Sequence, residues 1–148
     1  LTYMGFSGYL NPFTNEAQVN YLPPTYHTPL TSCHEQGHQI GYAAENETNF
    51  IGYLAAKHND DIYFQYAAYT FAVRYCLNEL LRRDKTLYEK LVKHLHYGVF
   101  ENYKESSSFW KSYQNPLEPV FKKGFDLFLK SNQQTKGIKS YSYVVDNT

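Results

Sequence analysis

The chain has 148 residues in which 14 Lys and Arg balance 14 Asp and Glu, so it presents no basic excess with which to neutralise a nucleic-acid backbone. Two cysteines, Cys33 and Cys76, are too few for a disulfide framework and lack the spacing of a thiolate zinc site or redox pair. The length suits one domain, and a chain of this size hides about 68–70% of its unfolded surface.

In chain order, residues 3–26 mix Gly, Asn, Pro and aromatics, and "NPFTNE" between two short apolar runs predicts a hairpin-like turn and a small β element. Thr28-Pro29 then writes a helix start, with Thr as cap and Pro in the first turn, and that helix should run to Ile40 and stop at Gly41. A second helix is expected from Ala44, carrying Phe50, Tyr53, Leu54 and Lys57 before "HNDD" breaks it. The third, Ile62 to Arg83, is apolar around most of its circumference and reads as the central one. Its segment Tyr66 to Leu81 is interrupted by Arg74, Asn78 and Glu79, short of the roughly 18 apolar residues of a membrane span, and the piece is expected to be soluble. Asp84 should cap a fourth helix with a Leu87, Leu91, Leu95 stripe and an end at Gly98. A weaker helix follows in "VFENYKESSSFWKSY" up to Pro116, then another in "PVFKKGFDLFLKSN" with Val120, Phe121, Phe125, Phe128 and Leu129 inward. The tail "GIKSYSYVV" alternates enough to close as a short strand or an ordered extension. The whole is mainly α with a small N-terminal β element, an α+β domain spanning residues 1–148.

The chemistry concentrates in "HEQGH". Residues four apart on a helix lie about 40° apart, so His34 and His38 share a face and can share a metal ion, with Glu35 beside them. HExxH on a helix is the arrangement in which two imidazoles bind zinc and the glutamate takes a proton from the metal-bound water. A catalytic zinc needs a third protein ligand and an open position. After the reversal at Gly41, "AENETNF" places Glu45 and Asn49 one turn apart on one face, so Glu45 is the expected ligand and Asn49 the residue that holds the far nitrogen of a liganding histidine. Glu47, about 200° from Glu45, is the reserve ligand, and otherwise a solvated helix-start glutamate. A metzincin pattern fails because position 44 is Ala44. Cys33 points about 100° off the ligand face and reads as a buried thiol. His94 and His96 are two apart and form no second site, and His58 with Asp60 or Asp61 reads as a polar turn before an ion site.

Four segments, "SGYLNPFTNEAQVN", "HEQGHQIGYAAENETNF", "YFQYAAY" and "GIKSYSYVV", resemble a bacterial family built on a domain of unknown function, in which N-terminal membrane helices precede an HExxH domain. That family is similar to gluzincin-type metallopeptidases such as thermolysin, in which HExxH gives two ligands and the base and a following ExxxD or ExxxN helix gives the third ligand and its support. The resemblance implies a zincin-like fold, Zn2+ held by His34, His38 and Glu45, Glu35 as general base and Asn49 as support. It also implies that the hairpin around Tyr9 to Asn20 is a sheet edge along which a peptide can lie. Glu45 stands only seven positions after His38, which demands a very tight turn between the two helices.

The reading that follows is a zinc metallopeptidase that hydrolyses amides of a peptide or protein substrate, with Glu35 accepting the proton of an activated water. Tyr66, in "FQYAAY", is the candidate donor to the oxyanion, against the plainer role of packing its helix. Glu16 reads as a turn residue before a substrate contact. The alternative is a metal-containing binding or regulatory module without turnover, and beyond it a metal-free helical interaction domain. The chain opens at Leu1 without an initiator Met or signal pattern, so a fragment of a longer, membrane-anchored protein is expected. By the family resemblance, its place is the bacterial cell membrane on the extracytoplasmic side.

Overall fold

The computed structural model describes residues 2–114, together with Lys123 and Leu127, which are both helical. The expected "PVFKKGFDLFLKSN" helix, the stop at Pro116 and the tail strand otherwise lie outside the described residues.

After a 3-10 turn at Thr2–Met4, strands β1 (Gly8–Leu10) and β2 (Ala17–Val19) pair antiparallel in the register Gly8↔Val19, Tyr9↔Gln18 and Leu10↔Ala17. The connecting turn is made by asparagines. The Asn11 carboxamide accepts from the amides of Phe13 and Thr14, and Asn15 takes the left-handed conformation (φ 56°) that Asn tolerates better than most residues. Glu16 accepts from the Thr14 hydroxyl at 2.9 Å, so its carboxylate serves the turn. Buried Asn20 donates to the Thr2 hydroxyl and the Phe6 carbonyl, which ties the N-terminal turn to the hairpin. At the other end, the Gln39 amide donates to the Asn15 carbonyl at 2.7 Å and fastens the hairpin tip to the first helix.

That helix, α1, is Thr28–Gln39. The cap expected from Thr28 is not formed: a 3-10 turn at Thr25–His27 feeds directly into α1, and His27 holds the cap position in helical backbone geometry. Pro29 does sit in the first turn, where its missing amide costs nothing. Gly41 ends the helix as expected, at φ 113°. Its amide bonds the His38 carbonyl while the Tyr42 amide reaches the Gly37 carbonyl, the pair of bonds of a Schellman motif.

Four more helices follow: α2 (Glu45–Lys57), α3 (Ile62–Arg83), α4 (Lys85–Val92) and α5 (Tyr97–Ser112). Asp61 and Asp84 cap α3 and α4 through the amides of Tyr63 and Leu87. The fourth helix stops at Val92, not Gly98, because the His96 ring accepts the Gly98 amide and starts α5 there. Leu87 and Leu91 are 41% and 46% exposed.

The core is small and lies where α1, α2 and α3 meet. Leu30, Ala56, Ala67 and Ala68 are buried, with Cys33, Tyr53, Phe64 and Phe71 packed on them. Alanines at these contacts let the helices approach closely, which is why α3 buries only a narrow stripe. Its Ile62, Tyr63 and Tyr69 are exposed, a correction to the expectation of a central helix buried around most of its circumference. Polar contacts dock α5: Asn102 donates to the Tyr66 hydroxyl, Tyr103 donates to the Thr70 carbonyl, and His27 Nε2 meets the buried Ser106 hydroxyl at 3.2 Å.

Candidate metal centre

Two helices joined by five residues build the site. On α1, His34 and His38 stand one turn apart with ring centroids 4.7 Å apart and planes at 89°. The Schellman turn reverses the chain, and Glu45, the first residue of α2, comes back to face both. The approach is close because small residues line the seam. A Cβ added to Gly37 would lie 2.9 Å from Thr48 Cγ2, and one added to Gly52 would lie 3.1 Å from the backbone nitrogen of His34.

His34 Nε2 lies 3.3 Å from Glu45 Oε2, and His38 Nε2 lies 3.5 Å from Glu45 Oε1. Bonds of about 2.0–2.2 Å to a tetrahedral ion put neighbouring ligand atoms about 3.3–3.6 Å apart, so both separations are those of ligands around one zinc. Oε2 is buried and, among the described residues, has no hydrogen-bond partner although His34 Nε2 is near, so nitrogen and oxygen do not aim along a hydrogen bond. One ligand atom from each of His34, His38 and Glu45 lies within 4.8 Å of the other two. Among the described residues, His34, His38 and Glu45 form the one group of three or more His, Cys, Asp or Glu donors placed for a metal ion. The donor set, two imidazoles and one carboxylate, would fit a zinc ion held by His34, His38 and Glu45.

Charge is arranged to match. Burial opposes ionisation of Glu45, but the adjacent His34 and His38 imidazoles carry its pKa down to about 2, and its place in the first turn of α2 adds the favourable end of the helix dipole. The same carboxylate raises the pKa of His38, against the opposing effect of burial. Glu35 lies at 6% exposure in the seam between α1 and β1, and a Cβ on Gly8 would fall on its carboxylate. Burial pushes its pKa up, the two imidazoles pull it down, and the Glu45 charge adds to the rise.

His38 is oriented from behind. Its Nδ1 donates to the Tyr42 carbonyl at 2.7 Å, which leaves the Nε2 lone pair for a metal. Thr48, fully buried, donates to the Tyr42 and Ala44 carbonyls and lies 3.4 Å from the same Nδ1, so one hydroxyl holds the turn and backs the imidazole. Asn49 was expected to take this supporting role. It is buried on α2, but its Nδ2 and the Nδ1 of His34 are both without partners among the described residues. Glu47, the reserve ligand, is exposed and lies outside the group.

Tyr66 is placed elsewhere. Its hydroxyl accepts from Asn102 at 2.6 Å and its ring meets Tyr26 edge-on, under α5. The tyrosine that feels the site is Tyr75, nine residues further along α3 and so about 180° around it. Burial raises its pKa first, Arg74 opposes, and the Glu45 charge adds to the rise. Nothing in a sequence with 16 tyrosines singles it out. Cys33 is half-buried against the core, where desolvation raises its thiol pKa. His58 bonds the Leu54 carbonyl and Asp61 caps α3, so the "HNDD" segment is a helix-to-helix turn.

The family model described as "Protein of unknown function (DUF3810)" matches residues 1–147. The chain belongs to this family. No curated protein and no solved structure matches it. No helix among the described residues is long and apolar enough to cross a membrane.

Proposed function

We propose that this member of the family is a zinc-dependent hydrolase, a metallopeptidase acting on a peptide or protein substrate. The observation that carries this reading is the grouping of His34, His38 and the Glu45 carboxylate with ligand atoms within 4.8 Å of one another, with the buried Glu35 beside them. The HExxH pattern and the similarity to gluzincin-type enzymes support the same class. A zinc ion held there would supply a Lewis acid for a carbonyl and bring the pKa of a water towards 7.

The chain's own residues do the rest. Glu35, desolvated and facing the imidazoles, is the group that takes a proton from the attacking water and returns it to the leaving nitrogen. Tyr42 and Thr48 keep the His38 ring in the tautomer a metal requires. Burial of the Glu45 carboxylate keeps competing water off the ligand set. In this proposal, the domain is the catalytic part of a membrane-anchored bacterial protein on the extracytoplasmic side, which rests on the family resemblance alone.

The test compares wild type with Glu35→Gln in zinc-loaded form on quenched-fluorescent casein. Both proteins should hold one zinc per chain by elemental analysis, and hydrolysis should fall by about 10²-fold or more in the variant. Equal hydrolysis by the two would remove Glu35 as base, and wild type without zinc would remove the metal centre.

A further inference from the structure

We propose that Gly8 of β1 is the positioning residue for Glu35: the space left by its missing Cβ is the seat in which the base carboxylate is held beside the metal ligands. The proposal rests on the hydrolase reading above for its catalytic consequence, while the seat itself is a statement about packing.

An ideal Cβ at Gly8 would clash with Glu35 Oε1 and lie 2.6 Å from both Cδ and Cγ. Real Cβ atoms essentially never come so near another atom, so the carboxylate occupies the volume any other residue would need. Backbone conformation is not the reason for glycine here. Among the described glycines the positive φ values belong to Gly5 and Gly41, so alanine could adopt the Gly8 backbone without strain. Strand pairing disfavours glycine too, since it weakens a strand interior and offers no side chain to pack. The contact with Glu35 is what the missing side chain makes possible.

The function of the seat follows from the flexibility of glutamate. Glu35 has three rotatable bonds and stands on the flank of α1, about 100° from His34 and about 60° from His38. Without a wall, its carboxylate would spread over many rotamers and reach into water. Backed by β1, it is buried and within electrostatic reach of His34, His38 and Glu45. The strand thus sets where the base stands relative to the ligands, and the ligands themselves do not need it. His34, His38 and Glu45 are fixed by α1, α2 and the turn between them.

Gly8→Ala therefore has an unusual signature. The clash falls on the Glu35 side chain from Cγ outward, and none of the three nearest atoms is backbone, so it is relieved by turning that side chain and expelling the carboxylate rather than by moving backbone. Fold and ligand set survive while the base is displaced.

The experiment is a double-mutant cycle with Gly8→Ala, Glu35→Ala and both together, read by thermal unfolding of the metal-free proteins, by Zn2+ affinity against a chromogenic chelator, and by hydrolysis of quenched-fluorescent casein. Gly8→Ala alone should lower Tm, whereas in the Glu35→Ala background, with the seat empty, the same change should leave Tm unchanged or raise it. Zn2+ affinity should stay within about 2-fold, and kcat should fall about 10- to 100-fold with KM little changed, the size expected for a misplaced general base. The same change in Tm in both backgrounds would overturn the seat. Coupled Tm values with undiminished kcat would overturn the positioning role. Coupled Tm values in a wild type that binds Zn2+ yet hydrolyses nothing would leave the seat standing and overturn the peptidase reading and, with it, the catalytic consequence of the seat.

Discussion

Gly52→Ala probes how the metal centre is built at a residue that touches no metal ligand with a side chain of its own. The added methyl would stand 3.1 Å from the His34 nitrogen and 3.2 Å from its Cα, both backbone atoms of α1 that cannot swing aside. Ordinary carbon contacts need about 3.5–4.0 Å, so α2 must back away from α1 by a few tenths of an ångström. Metal sites tolerate about 0.2 Å in ligand distance. The shift falls on α2, whose first residue is Glu45, while both imidazoles stay on α1. Two effects compete in stability: overpacking costs about 1–3 kcal/mol and the better helix propensity of alanine returns about 1 kcal/mol. Overpacking wins, so the metal-free variant should be less stable by about 0–2 kcal/mol. Zn2+ affinity should fall by about 10-fold or more, in the range seen when support of a liganding residue is lost. Urea unfolding of the metal-free protein and competitive Zn2+ titration measure the two effects. A variant that is more stable by the full helix-propensity gain and binds Zn2+ like wild type would refute the close seam between the two helices.

Glu45→Ala should abolish tight Zn2+ binding, whereas Glu47→Ala, at an exposed position outside the ligand group, should leave the titration unchanged. Tyr75→Phe should lower hydrolysis more than Tyr66→Phe does, and Tyr66→Phe should instead lower Tm by loosening α5, because its hydroxyl is bonded to Asn102. Acid should weaken the fold through His27, whose pKa falls from 6.5 to about 4 because of burial and then the nearby Arg74 charge. Since the folded pKa is the lower one, this contribution is whole above pH 6.5 and is lost as pH falls from there towards about 4. Metal-free His27→Gln should unfold with a flatter pH dependence across that window, and an unchanged slope would count against a buried neutral imidazole.

Local signals in the sequence carried the site well. The HExxH spacing, the Gly41 stop and the helix start expected at Ala44 all act within one turn of themselves, and the fold brings His34, His38 and Glu45 together as that spacing requires. The α3 boundaries were legible for the same reason, with Asp61 as a cap and Asp84 closing the helix. What could not be read depends on tertiary packing. A histidine that accepts the amide two residues on, as His96 does for Gly98, divides α4 from α5 without any periodic signal. Support of His38 comes from a backbone carbonyl, which no side-chain pattern encodes. The choice between Tyr66 and Tyr75 turns on which side of α3 faces α5, and the pairing of Gly8 with Glu35 joins segments far apart in the chain.

The brevity of the α1–α2 turn has a bearing on how the protein matures. Because every proposed ligand lies within His34 to Glu45, closing that loop costs little chain entropy, and under the proposed function a nascent helical pair would capture its ion early. The wall behind Glu35 arrives only when the N-terminal hairpin, pinned through Asn15 and Gln39, docks against α1. Under the proposed function, cation loading and hydrolytic competence would therefore be separate events in assembly, and a half-folded chain charged with metal would still be harmless to its neighbours.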